Sequence, residues 1–166
     1  MKRKLFKKKR IKPKDIYLIV YDFDGIMTDN KVITFENGKE AIIANRADGL
    51  AVSMLKKMGI PQIIISTESN KVVEARAKKI GIPILYNVND KKEALIKYCK
   101  ENGYELKKVV YFGNDLNDLE TMKIVGYPVA PSNATKEIRD IATFTLETKG
   151  GEGVIREFID KVIKKL

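Results

Sequence analysis

Asp22-Phe23-Asp24-Gly25 follows directly on an apolar run at residues 16–21. Two carboxylates two positions apart at a strand end turn to one side, and Gly25 permits a sharp bend that brings backbone amides towards an anion. Such a pair can hold a cation while one carboxylate attacks phosphorus and the other shuttles a proton. An ordinary acidic turn after a strand presents the same residues. Ser66-Thr67-Glu68 ends a second apolar run, residues 63–65, and places hydroxyls within reach of a phosphoryl oxygen. Ser or Thr at that place also serves as a helix N-cap. Asp90-Lys91-Lys92-Glu93 opens a helix with capping-box spacing. Lysines there oppose the helix dipole, so one of them has reason to neutralise a phosphoryl group, the alternative being a solvated surface lysine. Gly113-Asn114-Asp115-Leu116-Asn117-Asp118 ends the run at residues 109–112. This oxygen-rich turn suits magnesium, which takes hard oxygen ligands and keeps some of its waters, although an N-cap with first-turn acids looks similar.

These four segments require a scaffold that carries them to one place. Residues 16–21, 63–65, 109–112 and 125–129 are apolar and rich in β-branched side chains, as in strands buried on both faces of a parallel sheet. Between them apolar residues recur at helical period, for example Leu50, Met54, Leu55 and Met58, or Val154, Ile155, Phe158, Ile159 and Val162. The pattern predicts an α/β fold: a Rossmann-like, doubly wound, mostly parallel sheet with helices on both faces. Asn37-Gly38, between residues 32–35 and 41–43, predicts a β-hairpin inserted after the first strand. Ligands of such sheets bind beyond the carboxyl ends of the strands, where all four polar segments fall.

Composition removes competing chemistries. The 166 residues contain no histidine, which excludes Ser-His-Asp triads, phosphohistidine and imidazole-bound zinc. Cys99 is the only cysteine and reads as core packing. The net charge of +10 is concentrated in residues 1–14, which hold nine bases and no acid. Residues 1–14 are thus expected to be a basic flexible arm, the one part with a use for RNA, anionic lipid or a partner protein, and residues 15–166 a single catalytic domain. No apolar run reaches the roughly 20 residues of a membrane helix, and no secretory signal follows the Lys-rich start. A cytoplasmic location without a membrane span is expected.

From residue 16 onward the sequence resembles the haloacid dehalogenase-like phosphatases. DFDGIMT is similar to their DxDGxxT signature, Ser66 to their strand-end hydroxyl, Lys91 to their helix-leading lysine and GNDLND to their acidic metal loop. The resemblance implies Asp22 as nucleophile, Asp24 as acid and base, and Ser66 and Lys91 as anchors of the transferring group. It implies Mg2+ held by Asp22, the Asp24 main-chain oxygen and the metal loop, with Asp118 orienting the site. Where the family usually has aspartate after the loop glycine this chain has Asn114, so either Asn114 or Asp115 is the loop ligand. Gly25, Thr28 and Thr67 fall among the substrate-binding positions.

Only a hairpin is inserted, and no cap domain, which resembles the capless subgroup acting on 3-deoxy-octulosonate 8-phosphate and on sialic-type nonulosonate 9-phosphates. That resemblance implies a homotetramer shaped by the hairpin, and a glycine-rich segment, residues 149–157, able to reach a neighbour's site. Glu68, Arg76 and Lys79 resemble the trio that contacts the nonulosonate, and a helix face with an ion pair would carry the same residues. The nine-carbon 9-phosphate is therefore favoured as the sugar phosphate substrate over the octulosonate 8-phosphate of lipopolysaccharide. A catalytically silent assembly domain is the competing reading, since a similar fold ends the animal sialate cytidylyltransferases.

Overall fold

The structure is a computed structural model in which residues 10–163 are described. Its centre is a six-stranded sheet in the order β5-β4-β1-β6-β7-β8, formed by Ile84–Leu85, Gln62–Ile65, Leu18–Tyr21, Val109–Phe112, Tyr127–Ala130 and Phe144–Thr145. Every pairing in it is parallel. A separate antiparallel hairpin, β2 (Ile33–Thr34) with β3 (Glu40–Ala41), stands between β1 and the first helix. The expected turn is present, with Gly38 at φ +79°.

The helices α1 (Arg46–Lys57), α2 (Lys71–Ile80), α3 (Lys91–Asn102), α4 (Leu119–Met122), α5 (Lys136–Ile141) and α6 (Val154–Lys161) cover both faces. The central strands are completely buried, and alternate side chains feed two cores. Ile19, Tyr21, Ile64, Val110 and Phe112 pack with α1, α2 and α6 on one face. Leu18, Val20, Ile63, Ile65, Val109 and Tyr111 pack with Leu95, Met122 and Ile138 of α3, α4 and α5 on the other. Local signals set the helix starts: Asn45, Asn70 and Asp90 accept backbone N–H groups of Ala47, Val72 and Glu93. Gly81 and Gly103 end α2 and α3 in the left-handed conformation.

The chain runs from β1 outward through β4 and β5, then returns to build β6, β7 and β8 on the other side. That reversal opens a crevice at the carboxyl ends of β1, β4 and β6. One boundary differs from the sequence reading. Ile11, inside the expected arm, is 4% exposed, donates its N–H to the Val162 carbonyl at 2.9 Å and bridges to Ile163. An apolar side chain and a backbone bond tie residues 11–14 to the domain, while residues 1–9 lie outside the described residues.

Candidate active site

Asp22 leaves β1 with its N–H bonded to the Phe112 carbonyl at 2.9 Å, so the sheet ladder itself fixes the carboxylate beside the end of β6. Lys91, at the first position of α3, is 3% exposed and reaches across the crevice. Its Nζ lies 2.6 Å from Asp22 Oδ1 and 2.8 Å from Asp118 Oδ1. Asp118 is fully buried and uses every acceptor it has. Its Oδ1 also accepts the Tyr111 hydroxyl at 2.9 Å, and its Oδ2 accepts the N–H groups of Asn114 at 2.9 Å and Asp115 at 3.3 Å. Asp118 therefore holds the lysine with one oxygen and shapes the loop with the other.

Two buried carboxylates share one ammonium, leaving a net negative charge away from water. Burial, with Asp118's charge adding to it, pushes the Asp22 carboxyl up to about 7 against the opposing pull of Lys91. Lys91 is held above its ordinary value: burial opposes its charge, and the two carboxylates outweigh it. Asp24, half-buried, is raised by desolvation and by the charge of Glu68.

The second oxygen of Asp22 faces the metal loop. One terminal atom of the Asn114 amide sits 2.9 Å from Asp22 Oδ2 and 3.0 Å from the Asp24 main-chain oxygen. With nitrogen at that position Asn114 donates to both. With oxygen there, three acceptor oxygens meet, an arrangement that a bound cation relieves. The spacing suits a small octahedral ion, whose adjacent ligands at about 2.1 Å from the metal stand about 3.0 Å apart. Among the described residues no three Asp, Glu, His or Cys side chains converge on a metal position. The donors here are instead one carboxylate, one main-chain carbonyl and one amide, and the excess buried charge matches a divalent ion.

These groups open into a cavity of about 250 Å3. Asp22, Asp24, Ser66, Thr67 and Asn114 line it as expected from the sequence, and Asp115 joins them. Asp115 itself is occupied: its Oδ1 accepts the Leu116 N–H at 2.7 Å, capping the short turn that carries Asp118. Asn30 and Asn117 also line the cavity. Neither was legible as a site residue, nor was Tyr111, whose only signal was a hydroxyl in a fully buried strand that must find a partner. The Ser66 hydroxyl accepts the Glu68 N–H at 3.1 Å while facing the cavity.

Other expected positions serve elsewhere. Thr28 is completely buried, and its hydroxyl accepts the N–H groups of Gly25 and Asn30 at 3.3 and 3.2 Å, so it braces the turn and does not line the cavity. Gly25 sits at φ +87°, a conformation that a side chain disfavours. The Glu68 carboxylate accepts the N–H groups of Ser69 and Asn70 at 2.8 and 3.0 Å. Arg76 turns to the Asn45 carbonyl at 3.0 Å, and Lys79 is exposed in the last turn of α2. Glu68 precedes α2, so only Arg76 and Lys79 of the trio share a helix, and neither lines this cavity. The start of the glycine-rich segment packs on the turn after β1. Gly151 donates to the Ile26 carbonyl at 2.9 Å, and any side chain at Gly150 or Gly151 would collide with the backbone at Gly25 or Thr28–Asp29.

The family described as haloacid dehalogenase-like hydrolase matches residues 60–158. The 3-deoxy-D-manno-octulosonate 8-phosphate phosphatase of Yersinia pestis is 31% identical over 150 residues, 90% of this chain and 80% of its own. The chain belongs to the haloacid dehalogenase-like hydrolases. A solved 3-deoxy-D-manno-octulosonate 8-phosphate phosphatase from Moraxella catarrhalis, in complex with magnesium, phosphate and a KDO molecule, superimposes with a TM-score of 0.85. It is 32% identical, with 90% of this chain and 89% of that one covered. N-acylneuraminate cytidylyltransferase A of Danio rerio is 29% identical over 154 residues, 92% of this chain. The chain spans 36% of the length of that protein, and the same share of a second cytidylyltransferase from Oncorhynchus mykiss. Within the hydrolase family this chain has the capless form, since only the hairpin lies between β1 and α1 and only α2 and β5 between β4 and α3.

Proposed function

We propose that this hydrolase is a Mg2+-dependent phosphomonoesterase acting on an acidic keto-sugar phosphate through an aspartyl-phosphate on Asp22. The observation that carries the reading is the buried Lys91 bridging Asp22 and Asp118 beside the oxygen cluster of Asp22, Asp24 and Asn114. Asp22 Oδ2, the Asp24 carbonyl and the Asn114 amide oxygen are the residues to hold Mg2+, ahead of Asp115, whose carboxylate already caps its own turn. When bound, the ion supplies charge neutralisation for the phosphoryl oxygens.

The protein's own groups carry the rest. The Asp22 carboxylate attacks phosphorus and the bond to the sugar oxygen breaks, with Asp24 giving its proton to the leaving alcohol. Desolvation and Glu68 favour the protonated form of Asp24 that this step needs. Asp24, now ionised, takes a proton from water, the resulting oxygen attacks phosphorus, and the acyl-phosphate bond breaks to release phosphate and restore the Asp22 carboxylate. Lys91 and the Ser66 hydroxyl hold the transferring group, and Asp118 keeps Lys91 in place.

Every residue that lines the cavity is polar, which suits a polyhydroxylated ester better than an aromatic or lipid one. Octulosonate 8-phosphate becomes the first candidate. Relatives and a solved neighbour that match over most of their length are named for it, while Arg76 and Lys79, which favoured the nine-carbon ester, do not line the cavity. The nonulosonate 9-phosphate is the second, supported by Glu68 beside Asp24 and by the match to cytidylyltransferases. A homotetramer organised by the hairpin, in the cytoplasm, completes the reading. The test is phosphate release from eight- and nine-carbon keto-acid phosphates and common hexose phosphates, with and without EDTA. Asp22→Asn should abolish turnover, a loss of about 10⁴-fold or more, and the native enzyme should trap label from substrate as an acid-stable phosphoenzyme. Unchanged activity in that variant would overturn the mechanism, and no activity on any ester would favour a silent assembly domain.

A further inference from the structure

The loop after β6 gives the oxygen cluster a neutral member. Of the three groups that meet there, only Asp22 brings a formal charge, the others being the Asp24 main-chain oxygen and the Asn114 amide. Asp115, next in the chain, does not make up the difference, because it is exposed and its carboxylate caps the turn at Leu116. The main chain of Asn114 is clamped on both sides: its N–H is held by Asp118 Oδ2 at 2.9 Å and its carbonyl by the Thr135 N–H at 3.0 Å. The outer end of its side chain lies over Gly25, where a Cβ would collide with it. Asn114 is therefore fixed in place, and the freedom left to it is a half-turn of the amide. Turned one way, its nitrogen donates to Asp22 Oδ2 and to the Asp24 carbonyl at 2.9 and 3.0 Å, and both oxygens are satisfied by the protein alone. Turned the other way, its oxygen joins them as a third donor to a cation. An ionised carboxylate at this position could do only the second.

We propose that Asn114 couples magnesium to the substrate's phosphoryl group, so that each binds weakly alone and tightly in the presence of the other. The coupling rests on the phosphatase reading above and concerns how its two ligands depend on one another. On the side of the ion, a single carboxylate charge attracts it, and the amide competes for the same two oxygens. On the side of the anion, no lysine or arginine is among the residues that line the cavity, while Asp22, Asp24 and Asp115 are. Lys91 stands beside them but is already shared between two carboxylates, at 2.6 and 2.8 Å. A phosphoryl dianion thus meets a negative wall until a divalent charge is present, and the ion lacks neutralisation until the dianion arrives. Thermodynamic linkage makes the effect reciprocal: the factor by which phosphate raises magnesium affinity is the factor by which magnesium raises phosphate affinity. Asp24, Asp115 and Glu68 act on the site whatever stands at position 114, so a change there isolates the share of the amide.

The test is calorimetric titration of the full chain with Mg2+, with and without saturating inorganic phosphate, for the native protein and for Asn114→Asp. In the native protein phosphate should tighten magnesium by about tenfold or more, as for other coupled pairs of sites. Asn114→Asp should bind magnesium about tenfold more tightly without phosphate, and phosphate should then add about threefold or less. In EDTA the same variant should melt below the native protein, because its carboxylate meets Asp22 with neither a proton nor an ion between them. Equal magnesium affinity with and without phosphate in the native protein would overturn the coupling and leave the hydrolase reading intact. Equal magnesium affinity in the two proteins, or equal melting temperatures in EDTA, would remove Asn114 from it. Failure of both proteins to bind magnesium even with phosphate present would overturn the magnesium reading itself, and the coupling with it.

Discussion

The catalytic edge and the hairpin meet water in opposite ways. At the edge, polar groups are buried and answered: Asp118 spends both oxygens on four donors, and Lys91 is enclosed between two carboxylates. In the hairpin, apolar groups are left outside. Val32, Ile33, Phe35 and Ile43, on and beside strands of two residues each that are too short to be stable alone, are 49–67% exposed. One region is satisfied within a single chain, and the other carries an exposed apolar patch. The contrast teaches that the polar groups of the catalytic edge find their partners within the chain, whereas the hairpin leaves its apolar groups to water.

The largest test of that contrast is Lys91→Ala. Removing the ammonium leaves Asp22 and Asp118 facing each other without a counter-charge, and stability should fall by about 3–5 kcal/mol in urea unfolding, with phosphate release lost. A mild effect on stability would mean that the edge is not self-contained. Glu157 supports the same half of the molecule from behind. Burial raises its carboxyl, but the Thr148 hydroxyl, the Glu147 and Thr148 N–H groups and Lys161 outweigh that and hold it down at about 2. Because its folded value is depressed, its contribution is complete above the ordinary value near 4.5 and is lost as pH falls towards 2. Glu157→Gln should cost about 2 kcal/mol at pH 7, and the gap from the native protein should close between pH 4.5 and 2, read by thermal melts across that range. Tyr111→Phe removes one of Asp118's donors and should cost about 1–2 kcal/mol, with turnover falling more than KM rises if Asp118 loses its grip on Lys91. Smallest in stability, Val32→Ser/Phe35→Ser should stay within about 0.5 kcal/mol for the isolated chain, yet lower the mass seen by analytical ultracentrifugation. An unchanged mass would remove the hairpin from any interface.

Sequence made the centre of this molecule legible because buried parallel strands are written as unbroken apolar runs. Residues 109–112 were placed without error, and β1 and β4 to within two residues. The two-residue edge strands β5 and β8 leave no such run, and their positions follow from tertiary pairing. Asp22, Lys91 and Asp118 were legible as residues of one site, but their connection through Tyr111 was not, since a hydroxyl's partner is a property of the fold. The helical spacing read for Glu68, Arg76 and Lys79 fails at its start, because α2 begins only at Lys71 and leaves Glu68 on the preceding loop. Residues 11–14 misled through composition, because one buried isoleucine anchors a segment that its charge describes as solvated.

The contact of Gly150 and Gly151 with the turn after Asp24 joins positions some 125 residues apart. During synthesis Asp22 and Asp24 emerge early, but the turn that carries them has nothing to close against until residues 150 and 151 have left the ribosome. A polypeptide released before residue 150 would hold Asp22 and Asp24 without the strap that packs on their turn, so the timing of translation, and not only the final fold, decides when that turn takes its shape.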